Sequence, residues 1–399
     1  MIGGFNMDIT IESLLYGSFI KYEYLDQLLA MSLATDRYNF TNEVDIYIVL
    51  NDYFKYAYRK SVIVEHPLSI TSTIINMIGH YRTYFARRNV KTNFIMIYSD
   101  WSHPYSKKYI GSWNKTTLQE MNINNDTSGI TNVIKDNIGV LKILVPYLPN
   151  IYFKYTNREP AVPIYDFIVK RRMARDPSDI VPNIIITRDL YNFQIVDNDE
   201  DSFIYYMTKK QQGEIILRAI SCDTVLYHFL NLSRKINDFG WLMEKCNKHG
   251  VRMITQENID RIRHNKIEPA SIKFKNSYLS LLMALSNLPC RDIKSLLNVK
   301  KACDIIIKLD KMNLSCTKIE EMINIEFIYN AIKKDLPDNL IPEMLFNRFK
   351  AIDIKGQLID YINSPESKED IFLDLYDKEG LMNINSEYFK YNPIDLSRL

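Results

Sequence analysis

The stretch NIIITRDLYNFQIV, residues 183–196, runs apolar, stops at the charge of Asp189 and then returns to apolar side chains. A near-continuous apolar run of this kind reads as a strand buried on both faces, as in a parallel sheet. Two other segments are built the same way: DIYIVLND (45–52), which ends at Asp52, and NFIMIYSD (93–100), which ends at Asp100. Helical stretches lie between them: ITSTIINMIGHYRTYFARR (70–88), TNVIKDNIGVLKILVPYL (131–148) and PAVPIYDFIVKRRMAR (160–175). Strand and helix alternating in this way predict an α/β unit over residues 45–200, with a doubly wound, mostly parallel sheet.

From residue 201 the pattern turns mainly helical. DTVLYHFLNLSRKINDFGWLMEKCNKHG (223–250), SYLSLLMALSNL (277–288), VKKACDIIIKLDKM (299–312) and TKIEEMINIEFIYNAIKKDL (317–336) carry apolar residues at helical spacing. They predict two helical regions, 201–310 and 311–399, packed beside the sheet. IESLLYGSFIKYEYLDQLLAMSLA (11–34) predicts an amphipathic helical extension within residues 1–44. The sequence has no internal repeat and no low-complexity linker.

The chain has 399 residues, 46% of them hydrophobic and 12% aromatic, enough to bury a large core in two or three subdomains. Fifty basic and 48 acidic residues leave a formal charge of +2, so any nucleic-acid surface must come from local clustering. None of the five cysteines stands in a C-x-x-C pair, and they read as reduced thiols of a cytosol-like compartment. The N-terminus has no leader pattern, and no apolar run reaches about 18 residues, so a cytoplasmic protein without a membrane span is expected. Only 12 glycines, with abundant Ile, Asn, Lys and Tyr, suggest an AT-rich coding sequence such as many viruses carry. In that case the compartment is the host-cell cytoplasm.

In an open α/β sheet, ligands collect at the carboxyl ends of the strands, so acids at three strand ends are expected to converge on one crevice. A second reading stays open beside it: Asp189 before LYNF, and Asp52 before YFKYAYR, are also placed to cap helices.

The order of these pieces resembles the 5′-nuclease superfamily, the flap endonucleases and phage-type 5′-3′ exonucleases with a PIN-like fold. NDYFKYAYR (51–59) looks like the first motif, with Asp52, Tyr56, Tyr58 and Arg59 in place. IYSDWSHPYSKKYIGSWNK (97–115) is similar to the second, an Asp followed by basic residues leading into an arch for a 5′ single strand. REPAVPIYDFI (158–168) matches the family's Glu-Ala-Asp-Asp segment at Glu159 only, with Ala161 and Val162 where the two aspartates belong. ITRDLYNFQIV (186–196) matches at Asp189, Gln194, Ile195 and Val196, with Tyr191 in place of a second acid. LLMALSNLPCRDIKSLLNVKKACDII (281–306) looks like the helical DNA-clamping motif, with Ala284, Leu285, Ile293, Lys300 and Ala302 in register. There Leu296 and Asn298 replace the expected glycines, and the expected acids fall on Leu288 and Arg291.

The resemblance implies phosphodiester hydrolysis assisted by Mg²⁺ or Mn²⁺, with Asp52, Asp100, Glu159 and Asp189 as catalytic and metal-ligating residues. These four suffice for one ion, whereas a second ion requires more carboxylates. The replaced positions therefore imply a slow nuclease, or a catalytically inactive relative that serves as a DNA-binding or structural subunit of a viral replication, transcription or virion complex. Glu159 directly precedes Pro160, which is also the ordinary start of a helix, and that reading stays open too.

DNA or an RNA–DNA hybrid is the expected partner. Arg59, Arg87, Arg88, Lys107, Lys108, Lys115, Lys300 and Lys301 are the expected phosphate contacts, with Tyr105 and Tyr109 placed to stack on an unpaired base. KRRMAR (170–175) is a further basic cluster. Residues 1–44 and the enlarged 197–280 segment are candidate surfaces for protein partners. The sequence has no Walker-type glycine loop, no metal-ligand spacing among its six histidines and no nucleophile elbow.

Overall fold

The computed structural model describes residues 39–40, 43–51, 69–87, 89–99, 127–174, 179–187, 189–196, 202–209, 215–220, 225–234, 236–263, 276–286, 295–312, 329–330, 332–336, 338 and 342–368. The apolar runs form the centre of a six-stranded sheet. In chain order the elements are β1 (Asn39–Phe40), β2 (Glu43–Val49), α1 (Ser69–Ala86), β3 (Lys91–Ser99), α2 (Thr127–Leu144), β4 (Ile151–Thr156), α3 (Ala161–Met173), β5 (Asp179–Ile180) and β6 (Asn183–Thr187). A 3-10 turn, Leu190–Ile195, leads on to β7 (Ser202–Lys209) and β8 (Ile215–Ile220). The six-stranded sheet has the order β4-β3-β2-β6-β7-β8, and β1 pairs separately with β5.

All ladders from β4 to β7 are parallel, and only β8 runs antiparallel. The chain winds outward from β2 through β3 to β4, then crosses back to lay β6 on the other side of β2. The direction of winding therefore switches between β2 and β6, which is the doubly wound topology expected from the sequence.

Register explains why the strands are apolar throughout. Ile46 stands beside Phe94 and Tyr47 beside Ile95, so the two pairs face opposite sides. Phe94 meets Tyr81 of α1 at 6.4 Å between ring centroids, whereas Tyr47 meets Phe167 of α3 edge-on at 6.0 Å. Helices thus cover both faces, and Ile46, Ile48, Phe94 and Met96 are as buried as Tyr47, Val49, Ile95 and Ile97. The central stretches Ile46–Val49 and Phe94–Ile97 face no water and are apolar, while the polar residues of these strands, Glu43, Asp45, Lys91, Thr92, Asn93 and Ser99, stand toward their ends.

The helical part follows as α4 (Val225–Arg234), α5 (Gly240–His249), α6 (Gln256–Arg263), α7 (Asn276–Leu285), α8 (Val299–Lys311), α9 (Pro342–Ile352) and α10 (Ile354–Ile362). It shares one core with the Tyr47 face of the sheet, through Leu282, Ile306, Leu345 and Tyr361 among others. Among the described residues no helix is long and apolar enough to cross a membrane.

The sheet does not end at residue 200. β7 and β8 belong to it, so the expected helical onset at 201 is displaced to Val225 among the described residues. An antiparallel pair needs only a short connection, and Arg218 interrupts the apolar run of β8, so this hairpin lacks the continuous apolar pattern that marked the others. Most of the expected 1–44 extension lies outside the described residues, and β2 begins at Glu43.

Candidate functional site

Four of the parallel strands are adjacent, β4-β3-β2-β6, and each is followed within three residues by one of the predicted acids. β4 ends at Thr156 and β3 at Ser99, ahead of Glu159 and Asp100; β2 ends at Val49 and β6 at Thr187, ahead of Asp52 and Asp189. These are the carboxyl ends, and the β2/β6 boundary is where the winding reverses, the place where such sheets hold ligands. Asp52 and Asp100 themselves lie outside the described residues, as do Arg59, Arg88, Lys107, Lys108 and Lys115.

The residues just before three of the acids are bonded to one another. Asn51 donates through Nδ2 to the Ser99 carbonyl at 2.7 Å and accepts through Oδ1 from the Ser99 N–H at 2.9 Å. The Ser99 hydroxyl in turn donates to the carbonyl of Arg158. All three residues are buried. Sequence reading missed them because it followed the charges; the signal available was a polar Asn and Ser closing two otherwise apolar runs.

Glu159 is fully buried at the start of α3, and its carbonyl accepts from the Val162 N–H at 2.9 Å. Its open reading as a helix-start residue is therefore realised in the backbone, although Pro160, and not Glu159, stands at the N-cap. Arg158, nine-tenths buried, reaches across to the helical part. Its Nη2 donates to the Asp360 carbonyl at 3.4 Å, and its guanidinium lies 5.8 Å from the Tyr361 ring centre.

Asp189 caps the 3-10 turn, as the second reading held: Oδ1 accepts from the Tyr191 N–H at 3.0 Å. Thr187 Oγ1 fixes it from below, accepting from the Asp189 N–H at 3.0 Å and from Asn192 Nδ2 at 2.8 Å. A carboxylate has two oxygens and about four lone-pair sites, so capping through one leaves metal ligation chemically compatible.

The positions where the resemblance expects further acids are part of the core. Ala161, Val162 and Tyr191 are fully buried among apolar neighbours, and Tyr191 Oη accepts from Gln357 Nε2 at 2.9 Å. Gln194, matched by the motif, joins a buried polar seam to the helical part. Its Nε2 donates to the Ile352 carbonyl at 3.1 Å, and its Oε1 lies 2.7 Å from Ser280 Oγ and 3.3 Å from the Ile354 N–H. Ser280 Oγ is also 2.8 Å from Asp353, the N-cap of α10.

The basic residues divide by location. Arg87 is exposed at the end of α1, directly before β3 starts, and so lies at the amino edge of the sheet. A nine-residue strand separates it from the acids by about 26 Å, and the structure does not bring it to the rim. The described part of the KRRMAR cluster, 170–174, closes α3 at the same edge, where Lys170 pairs with Asp166 at 2.7 Å and Arg171 pairs with Asp45 at 2.7 Å, and Arg175 lies outside the described residues. A helix returning from one parallel strand to the next necessarily ends at the amino edge, so basic residues closing such helices face away from the carboxyl rim.

Lys300 and Lys301 are exposed in the first turn of α8, with Lys300 Nζ 5.3 Å from the centre of the Trp241 ring. Asn298, standing where a glycine was expected, N-caps that helix by accepting from the Lys301 N–H at 2.9 Å. The Leu285 carbonyl that ends α7 accepts from both Leu296 and Leu297 N–H, holding the two helices of the clamp-like segment together. Ala284, Leu285 and Ala302 are buried between them, while Leu288, Arg291 and Ile293 lie outside the described residues.

Among the described residues no three His, Cys, Asp or Glu side chains form a metal-binding group. No protein-family model matches the chain, and no curated protein does. Solved structures similar to it include a phage T5 flap endonuclease pseudo-enzyme–product complex with DNA and metal ions. That similarity has 11% identity and TM-score 0.43, over 85% of this chain and 97% of that one. A T5 5′-exonuclease with bound zinc has 9% identity and TM-score 0.42, over 87% and 98% of the two chains. The catalytic core of Rad2 in complex with a DNA substrate has 10% identity and TM-score 0.39, over 87% of each.

Proposed function

We propose that this chain binds nucleic acid and is a slow, divalent-cation-dependent nuclease of 5′-nuclease type, acting on DNA or an RNA–DNA hybrid in the cytoplasm. One observation carries the reading: Glu159, Asp100, Asp52 and Asp189 follow the carboxyl ends of four neighbouring parallel strands, in that spatial order. Oxygen-only ligands suit Mg²⁺ or Mn²⁺. Asp52, Asp100, Glu159 and Asp189 would hold such a cation, whose chemistry there would be to activate a water and offset charge on the leaving oxygen.

β4 and β6 are three strand spacings apart, about 14 Å, so Glu159 and Asp189 flank the rim, with β3 and β2, the strands that Asp100 and Asp52 follow in sequence, between them. Lys107, Lys108 and Lys115, which follow Asp100, and Lys300 and Lys301 at the start of α8 are assigned to phosphate contacts. Arg59 and Arg88 retain the same assignment on sequence position alone.

With Ala161, Val162 and Tyr191 in the core, a second cation has no carboxylate from those positions. Each missing electrostatic group costs about a hundredfold to a thousandfold in rate. The same burial favours a second reading, a catalytically inactive DNA-binding or assembly subunit that docks partners through residues 1–44 or 197–280.

The test incubates full-length protein with a labelled 5′-flap DNA and Mg²⁺ or Mn²⁺, beside Asp52→Ala and Asp189→Ala. Slow cleavage lost in both variants is expected. Cleavage that survives both substitutions removes the rim from the chemistry, and an inert wild type that binds the flap with salt-sensitive affinity selects the second reading.

A further inference from the structure

We infer that Trp241 is a positioning residue for the nucleic-acid contact of the helical part: its ring orders the Lys300 ammonium without neutralising it, leaving the charge for a backbone phosphate. The inference rests on the proposed reading of Lys300 as a phosphate contact.

α5 and α8 run side by side in the same direction. Lys300 Nζ lies 5.3 Å from the centre of the Trp241 ring. One turn further along both helices Lys245, four residues on from Trp241, pairs with Asp304, four residues on from Lys300, at 2.9 Å. Leu242 and Cys246 of α5 are buried in one core with Cys303 and Ile306 of α8. Trp241 packs against that core, which fixes its ring, whereas Lys300 is exposed. The starts of the two helices therefore meet at the surface through an aromatic face and a cation.

The lysines of these helices differ in what opposes their charge. Lys245 is paired with Asp304 at 2.9 Å, and Lys308 with Asp335 at 2.5 Å. Lys300 has no carboxylate partner among the described residues, and a neutral ring holds it instead. A carboxylate that orders an ammonium also cancels its field, whereas a ring face attracts the cation through its quadrupole and leaves the net charge in place. Binding a phosphate ordinarily costs a long side chain its rotamer freedom, and a lysine already held has less to lose. Since α5 belongs to the enlarged 197–280 segment, that segment would supply part of the nucleic-acid surface.

A ring that merely finishes the core beside α8 makes a different prediction. Changing it then lowers stability, and any effect on binding is the same whether or not Lys300 is present.

The full chain is titrated into a fluorescein-labelled 5′-flap DNA in EDTA over a series of KCl concentrations, and anisotropy gives affinity without catalysis, with thermal unfolding measured in parallel. Lys300→Ala should weaken binding and lower the slope of log affinity against log salt by about one. Trp241→Leu, which keeps apolar bulk and loses the ring, should weaken binding about twofold to fivefold, and Trp241→Phe should lie nearer wild type. Trp241→Leu should add nothing in the Lys300→Ala background. Should Trp241→Leu fail to fold, mono- to tetrafluorinated tryptophan at position 241 keeps the ring's shape while draining its negative face, and affinity should fall stepwise with fluorination.

Affinity indifferent to Trp241→Leu or to fluorination overturns the inference, and so does an equal loss with and without Lys300. A wild type that binds the flap, with Lys300→Ala binding equally well, removes the inference and keeps nucleic-acid binding. A wild type that binds no flap removes the nucleic-acid reading and the inference with it.

Discussion

Strand β2 has acids at both ends, and the two ends treat them differently. At the amino edge, Asp45 is 1% exposed and pairs with Arg171, whose Nη2 donates to Oδ1 at 3.1 Å and whose Nε lies 2.7 Å from Oδ2. Asn93 Nδ2 donates to the same Asp45 at 2.7 Å and to Glu43 at 2.5 Å, and Arg171 also reaches Glu43 at 3.2 Å. The protein supplies its own cation there, through a charge-assisted hydrogen bond. At the carboxyl edge the ordering contacts are the neutral amide of Asn51 and hydroxyl of Ser99, and the proposed function assigns the compensating charge to a divalent ion. Acidic residues near a strand end therefore say little until the source of the opposing charge is known.

The largest effect should come from breaking the amino-edge set. Arg171→Met leaves Asp45 charged, buried and without its arginine, and breaking a buried pair from one side costs about 3–5 kcal/mol, reduced here because Arg171 is itself about one-fifth exposed. Urea unfolding should register a loss near the lower end of that range, with Mn²⁺ uptake unchanged. Loss of Mn²⁺ uptake in a stable protein would mean that the two edges are not independent.

A second variant sharpens the comparison along the rim. The β2–β3–β4 side is ordered by Asn51 and Ser99, whereas the β6 side is held from the helical part through Gln194. Gln194→Leu strands the partners of a fully buried amide, which costs about 1–3 kcal/mol. The loss should appear in chemical unfolding and be accompanied by faster hydrogen exchange at the N–H groups of Tyr191 and Ile354. Exchange unchanged at both would show that the seam does not hold the β6 end.

Much of this architecture was legible in the sequence because burial on both faces leaves a one-dimensional trace: IYIVL, FIMI and IIIT have no room for a polar residue, and each run stops at the sheet edge. Strand order was not written there, and neither was the hairpin of β7 and β8, where Arg218 interrupts the run IILRAI. At the rim, Asp189 is both a matched motif residue and a cap, because one carboxylate can serve a local turn and a distant ligand. KRRMAR read as a basic cluster because sequence gives charge without direction; the return of α3 to the amino edge turns Arg171 onto Glu43 and Asp45. The Asn51–Ser99 tie joins residues 48 positions apart, and its components are ordinary until the strands are adjacent.

A region away from both edges gives a reference that responds to pH. Cys303 of α8 and Cys246 of α5 are buried, and desolvation raises both thiol pKa values above the ordinary range, with the charges of Asp304 and Cys246 adding to the rise at Cys303. The fold favours the protonated thiols, so their contribution is fully present below the unfolded pKa, about 8.5, and is lost as pH rises beyond it. Stability should fall by about 1.4 kcal/mol per pH unit in that range through Cys303. Cys303→Ala should remove one thiol's share of the slope in urea unfolding between neutral and alkaline pH, whereas Asn51→Leu should leave that slope as in wild type. A slope indifferent to Cys303→Ala would place the alkaline sensitivity elsewhere.

The smallest stability effect separates the two duties of Asp189. Its Oδ1 caps the turn that enters the Gln194 seam, and a lost cap costs about 1 kcal/mol. Asn caps as well as Asp does, so Asp189→Asn should keep wild-type stability while Asp189→Ala loses that amount in urea unfolding. If the carboxylate also faces a cation, both variants should weaken Mn²⁺ binding alike, because each removes the charge. A variant with full stability and diminished cation affinity assigns Asp189 to the rim; equal Mn²⁺ affinity in wild type and Asp189→Asn leaves it a cap alone. The cation would then rest on the side of the rim that Asn51 and Ser99 hold together, and the two halves of the carboxyl edge would differ as much as the two ends of β2 do.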